Sequence, residues 1–229
     1  MIEKAKQLVE ELMKSDNSGH GMDHINRVFL LAMKFAEKEK CDKDIVALGA
    51  LLHDVDDYKL FGAEHQEKLI NTNNILNTLG LSQEKKQKIL DIIKNLGYSK
   101  RLKGISPSSI EGKIVSDADM CDASGAMGIL RTFQYSLKHG RPFFDRDAWP
   151  VEDIDAEKYR NKSVASSNDS AVCHFFEKLL KLKNLMLTDS GKAEAEQRHQ
   201  TMIAFLRQTF REENAPEWEE YLDNFLKKL

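Results

Sequence analysis

Apolar residues recur at intervals of three and four along almost the whole chain, and runs that alternate apolar with polar are nearly absent. Spacings of three and four put side chains on one face of a helix with 3.6 residues per turn, whereas a half-buried strand needs a period of two. The pattern predicts an all-α protein, a single helical bundle. Its stripes run Ile2-Ala5-Val9-Leu12, Ile25-Val28-Phe29-Ala32-Phe35, Ile45-Leu48-Leu51-Leu52, Leu69-Ile70-Leu76-Leu79 and Ile89-Ile92-Ile93-Leu96. Asp42 is placed to cap the third of these helices. Ser108 with Glu111 fits a capping box ahead of Ile110, Ile114, Val115 and Ala118. A helix carrying Ile129, Leu130, Phe133 and Leu137 follows, with those residues as its buried face. From His139 to Ser170 the chain is polar and holds Pro142 and Pro150, which reads as a long excursion, a loop or a lid. The stripes Phe176-Leu179-Leu180 and Met202-Phe205-Leu206-Phe210 belong to closing helices. The expected organisation is one domain over residues 1–229: a core at about 18–138, the excursion at 139–170 and closing helices at 171–229.

Length and charge narrow the function classes. A chain of 229 residues can bury a sizeable core. The net charge of −3 argues against a general nucleic-acid binder, while leaving room for a local basic pocket for a phosphate ester. No apolar run approaches the roughly 20 residues needed to cross a bilayer, and the first residues lack the apolar core of a signal peptide. Cys41, Cys121 and Cys173 are far apart and form no Cys-x-x-Cys pair. Such a set suits a reducing compartment, so a cytoplasmic protein is expected.

The chemistry is sought among polar residues at apolar positions. His24 lies on or beside the stripe continued by Val28, Leu31 and Phe35. His53 and Asp54 directly follow the most apolar stretch of the chain, Ile45 to Leu52, where a carboxylate is costly to bury without a cation or hydrogen-bond donors. Asp119 follows Ile114, Val115 and Ala118 in another apolar helix. Singly these are weak signals: a His on an apolar face is commonly a hydrogen-bonded core residue, and Asp119 could cap a helix or pair with Arg131. Together, two imidazoles and two carboxylates form a mixed nitrogen and oxygen set suited to Mn, Fe, Co, Ni, Zn or Mg. His53 and Asp54 point about 100° apart on a regular helix, so gripping one ion requires a helix end or distortion between them.

With those residues in view the sequence resembles the HD-domain superfamily of metal-dependent phosphohydrolases. The resemblance is carried by Asp23-His24, by Leu51-Leu52-His53-Asp54 and by Asp117-Ala118-Asp119. It is closer still to small bacterial members, which share segments similar to Gly19-His20-Gly21-Met22-Asp23-His24, His53-Asp54-Val55-Asp56-Asp57-Tyr58-Lys59, Ser116 to Ala123, Gly125 to Ile129 and His174 to Leu180. Met120-Cys121 stands where Arg-Leu is common, a departure outside the ligands. The resemblance implies an all-helical fold and one divalent metal ion held by His24, His53, Asp54 and Asp119. Bimetallic relatives carry extra histidines between the doublet and the last Asp, and here only His65 falls in that interval.

By the same resemblance Asp57 is the candidate to orient or deprotonate an attacking water. A solvated turn residue is its plain alternative, and Asp56 its nearest competitor. Arg27 and Lys59 sit in the matching segments and are candidates to meet substrate phosphate; Lys100, Arg101 and Lys103 read as surface cations. His20 could meet the substrate, or cap the turn before the second helix. Some small members cleave nucleoside triphosphates to monophosphate and pyrophosphate, so the expectation is a nucleotide pyrophosphohydrolase, with manganese among the metals. The alternatives are a 5′-nucleotidase or other phosphomonoesterase, a nonenzymatic nucleotide-binding HD domain, and a helical interaction domain with an accidental His-Asp doublet. A small phosphorylated partner is implied, with neither a nucleic-acid polymer nor a membrane.

Overall fold

The computed structural model of the chain describes residues 1–14, 21–151 and 170–229. Among the described residues every regular element is helical, as the apolar spacing predicts. None of these helices is long and apolar enough to cross a membrane. The chain divides into two compact units, 1–119 and 120–229.

The first unit opens with α1 (Ile2–Met13) and α2 (Met22–Ala36), which bury Ala5, Val9 and Met13, and Ile25, Val28, Ala32 and Phe35. At its centre is α3 (Lys43–Leu52), buried from Ile45 to Leu52 on every side because α1 and α2 pack against it. Asp42 starts this helix as expected, its Oδ1 accepting from the amides of Asp44 at 3.0 Å and Ile45 at 3.3 Å. Three short helices follow: α4 (Tyr58–Phe61), α5 (Ala63–Lys68) and α6 (Ile70–Thr78). Between α5 and α6 the chain turns at Leu69, a buried residue with φ of 49°. Next comes α7 (Gln83–Lys94), which packs on α3 through Ile89, Ile92 and Ile93. The single turn α8 (Tyr98–Arg101) then leads to α9 (Ile110–Asp122).

Gly49 sets how closely α3 is approached. A Cβ there would lie 3.2 Å from Val115 Cγ2 and 3.6 Å from Ile92 Cγ2, so the missing side chain admits α9 and α7. The cap of α9 differs from the expectation by one residue. Ser109, not Ser108, accepts from Gly112 N at 3.1 Å. Glu111 does not reach back to close a capping box; its Oε1 accepts from Asp42 N at 2.9 Å and so ties the start of α9 to the start of α3.

The second unit holds α10 (Gly125–Lys138), α11 (Ala171–Glu177), a 3₁₀ stretch Leu179–Leu185, α12 (Asp189–Glu212) and α13 (Pro216–Lys228). Its core is aromatic: Phe175, Phe176, Phe210 and Trp218 are all fully buried. One expectation is corrected here. Leu130, Phe133 and Leu137 are exposed, and α10 instead buries Gly125, Gly128 and Ser136. Gly125 faces α12, where a Cβ on it would come within 2.9 Å of Arg198 Cγ, and Gly128 lies against the Ala123 backbone, where a Cβ would come within 2.5 Å of its carbonyl oxygen. The described beginning of the polar excursion is held by backbone bonds and by a stacked ring. Pro142 and Phe143 carbonyls accept from Ala171 and Val172 amides at 3.0 Å, and Trp149 stacks on Trp218 with centroids 4.4 Å apart. The remainder of the excursion, 152–169, lies outside the described residues.

Candidate metal centre

The apolar stretch of α3 ends at Leu52 because His53 and Asp54 follow it, and the helix stops there. His53 occupies the C-cap position with helical φ and ψ, and Asp54 stands in the turn beyond. This is the helix end that two adjacent residues need if both are to reach one ion. His53 Nδ1 lies 2.7 Å from the carbonyl oxygen of Ala50. A carbonyl only accepts, so Nδ1 carries the proton and Nε2 presents its lone pair away from the helix. Val55, fully buried just beyond, fixes the turn to the core.

His24 comes from the first turns of α2, where Ile25 and Val28 hold that face inside and leave the His24 side chain 2% exposed. Asp119 comes from the far part of α9, brought in by the buried neighbours Val115 and Ala118. These three elements bring the four side chains together. His24 Nε2 is 3.1 Å from His53 Nε2, 3.4 Å from Asp54 Oδ2 and 3.5 Å from Asp119 Oδ1. His53 Nε2 is 3.6 Å from Asp54 Oδ2 and 3.8 Å from Asp119 Oδ1. The carboxylates are the open side, Asp54 at 17% and Asp119 at 27% exposed.

The donor set fits a divalent ion. Ligands about 2.1 Å from a common centre lie roughly 3.0–3.4 Å apart when they subtend 90–109°, close to the separations found. Two carboxylates drawn into a half-buried pocket also need a cation to offset their desolvation. Burial pushes the Asp119 carboxyl up, but the hydrogen bond from His24 and the electrostatic attraction of the His53 and His24 rings outweigh it and hold Asp119 below the ordinary carboxylate range. Among the described residues, His24, His53 and Asp119 are a group with ligand atoms within 4.8 Å of one another that could hold a metal. Asp54 Oδ2 joins them through the two histidines.

The other candidate residues are placed differently. Asp57 is half-buried at the start of α4, where its amide donates to the Asp54 carbonyl at 3.1 Å and its own carbonyl accepts from Leu60 and Phe61. Asp56, its competitor in the sequence, points elsewhere: Oδ1 accepts from Asn71 N at 2.8 Å, and Oδ2 from Thr72 N at 2.9 Å and Thr72 Oγ1 at 2.7 Å. Sequence reasoning missed this role, since nothing in a run of neighbouring aspartates marks which one reaches a distant helix. Arg27 is half-buried three residues after His24 on α2. Lys59 belongs to α4, and His20 lies outside the described residues. His65 Nδ1 is 3.4 Å from Asp56 Oδ1, and its ring stacks on Phe61. Arg131, weighed as a partner for Asp119, donates to Asp122 Oδ2 at 2.9 Å.

Residues 21–124 match the family model described as HD domain, an interval that includes all four clustered side chains. The chain is 34% identical to the uncharacterized protein YpgQ of Bacillus subtilis over 90% of both chains. YpgQ has been solved in complex with ADP, a structure that superposes with a TM-score of 0.68 at 31% identity, covering 91% of this chain and 97% of that one. A Lactobacillus plantarum protein of 34% identity gives a TM-score of 0.78, and a Bacillus thuringiensis HD-superfamily hydrolase of 37% identity gives 0.72. Each of those two covers 93% of this chain and 97% of its own. On the sequence match, the fold and the clustered histidines and aspartates, the chain belongs to the HD-domain superfamily, among its small YpgQ-like members.

Proposed function

We propose that this protein is a divalent-metal-dependent phosphohydrolase that acts on a small phosphoester, a nucleotide of the kind a pyrophosphohydrolase cleaves. The observation that carries the reading is the convergence of His24, His53, Asp54 and Asp119 from three separate helical elements, with donor separations of 3.1 to 3.8 Å. Those four residues would hold the ion. Bound there, a divalent ion supplies a water of lowered pKa and neutralises phosphoryl charge. The chain's own part is positional. Asp57 follows Asp54 by three residues, the offset at which the family resemblance implies an acidic residue that orients a water or takes its proton. Arg27, Lys59 and His20 are the proposed contacts to substrate phosphate.

A nucleotide is favoured by the ADP bound to YpgQ. One ion rather than two is favoured by His65, whose Nδ1 faces Asp56. The three free cysteines favour the cytoplasm. A net charge of −3 favours a small ligand over a nucleic-acid polymer.

The test pairs metal analysis with product analysis. Purified protein is assayed for bound metal, then for phosphate and pyrophosphate release from a nucleotide panel with Mn, Mg, Co or Ni. His53→Ala and Asp54→Ala are run beside it. About one ion per chain, with metal-dependent turnover lost by a factor of at least 10² in both variants, is the expected result. Pyrophosphate as the released product would identify the bond, and orthophosphate alone would move the assignment to a phosphomonoesterase. A folded protein that takes up none of these metals would overturn the reading.

A further inference from the structure

The turn that carries His53, Asp54 and Asp57 is held from outside by the start of α6. Asp56 lies inside that turn, 4% exposed, and spends both oxygens on α6: Oδ1 on Asn71 N, Oδ2 on Thr72 N and Thr72 Oγ1. Asn71 returns the grip, its Nδ2 donating to the Val55 carbonyl at 2.7 Å. Four hydrogen bonds of 2.7–2.9 Å thus tie two consecutive residues of the turn to two consecutive residues of the helix. The first amides of a helix have no partner within it, and the residue at the cap of α6, Leu69, offers no side-chain acceptor. Asp56 is the cap, supplied from a different segment, and its charge suits the positive end of the helix dipole. The joint that presents these amides is itself constrained: Leu69 holds a left-handed φ of 49° while buried at 3% exposure. Surrounding packing must over-determine such a residue.

Val55, fully buried next to Asp56, ties the same turn to the core as well. We infer that Asp56, Asn71 and Thr72 form a clasp whose role is to fix the direction in which His53 and Asp54 present their ligand atoms. They are positioning residues that act through the backbone. The inference rests on the metal reading above.

The test measures metal binding and folding separately, with no substrate. Cobalt binding to the full-length protein is followed by calorimetry and by the visible spectrum of the bound ion, and thermal unfolding of the metal-free protein by circular dichroism. Thr72→Ala removes one hydroxyl donor, Thr72→Ser restores it, and Asn71→Ala removes the bond to Val55. At a temperature where all variants are folded, Thr72→Ala and Asn71→Ala are expected to bind cobalt about tenfold or more weakly with an altered spectrum, while Thr72→Ser binds as wild type. Variants that melt earlier yet bind cobalt with wild-type affinity and spectrum would show a plain stability role and overturn the inference alone. A wild-type protein that binds no cobalt would overturn the metal reading and this inference with it.

Discussion

His199 is buried on α12, and its Nδ1 atom has no hydrogen-bond partner among the described residues. Desolvation is the main reason its pKa falls to about 4; the positive charge of Lys183 adds to the drop, and Glu196 partly offsets it. Lys183 and Glu196 are themselves paired at 3.2 Å. The folded protein therefore takes up this proton only near pH 4, the unfolded chain near 6.5. Between those values the unfolded state holds more protons, so the neutral histidine's contribution is complete above pH 6.5 and is lost as the pH falls towards 4. Replacing it with leucine removes both the titration and the orphaned nitrogen. His199→Leu should flatten the acid side of the stability profile and leave the variant more stable than wild type by on the order of 1–3 kcal/mol near pH 5. Urea unfolding at pH 7.5 and pH 5 measures this; an unchanged difference between the two pH values would show that His199 is not buried as a neutral ring.

At the scale of helices, Gly49 decides how α3 meets α9, and those two helices carry His53 and Asp119. A branched side chain there must push against Val115, whose Cγ2 already lies 3.2 Å from the built Cβ position. Gly49→Val should cost about 1–3 kcal/mol through overpacking and lower the metal retained through dialysis, because displacing α9 carries Asp119 with it. Urea unfolding together with metal analysis checks both; a variant that loses stability but keeps its ion would separate the two helices' packing from the site. That His24, His53, Asp54 and Asp119 come together was legible in the sequence for a related reason. His24 lies on an apolar stripe, and His53, Asp54 and Asp119 follow apolar stretches, where a polar side chain forced inside needs a partner. The Asp42 cap was legible because its bonds reach only two and three residues along the chain. What escaped was whatever depends on a remote partner. Glu111 fits a local capping box but bonds Asp42 instead. The stripe of α10 looks like a buried face, yet Leu130, Phe133 and Leu137 are exposed and the helix meets α12 at Gly125. Asp56 and Asp57 are equivalent as text and differ only once α6 is in place.

For the whole molecule, an ion bound at the four ligands adds stability to the unit that contains them, by an amount that grows with free metal over its dissociation constant. All four lie within residues 1–119. Both tryptophans, Trp149 and Trp218, lie within residues 120–229, stacked face to face at 4.4 Å. Tryptophan emission is therefore a reporter of the half without the ligands, and heat absorption a reporter of both. Scanning calorimetry of the metal-loaded and chelated protein should show a transition raised by the ion. If emission follows that shift, the two halves melt as one cooperative system; if emission stays where it was while the heat transition moves, they melt independently. The stacked indole pair thus supplies a built-in optical gauge of how far the influence of a bound ion travels along the chain.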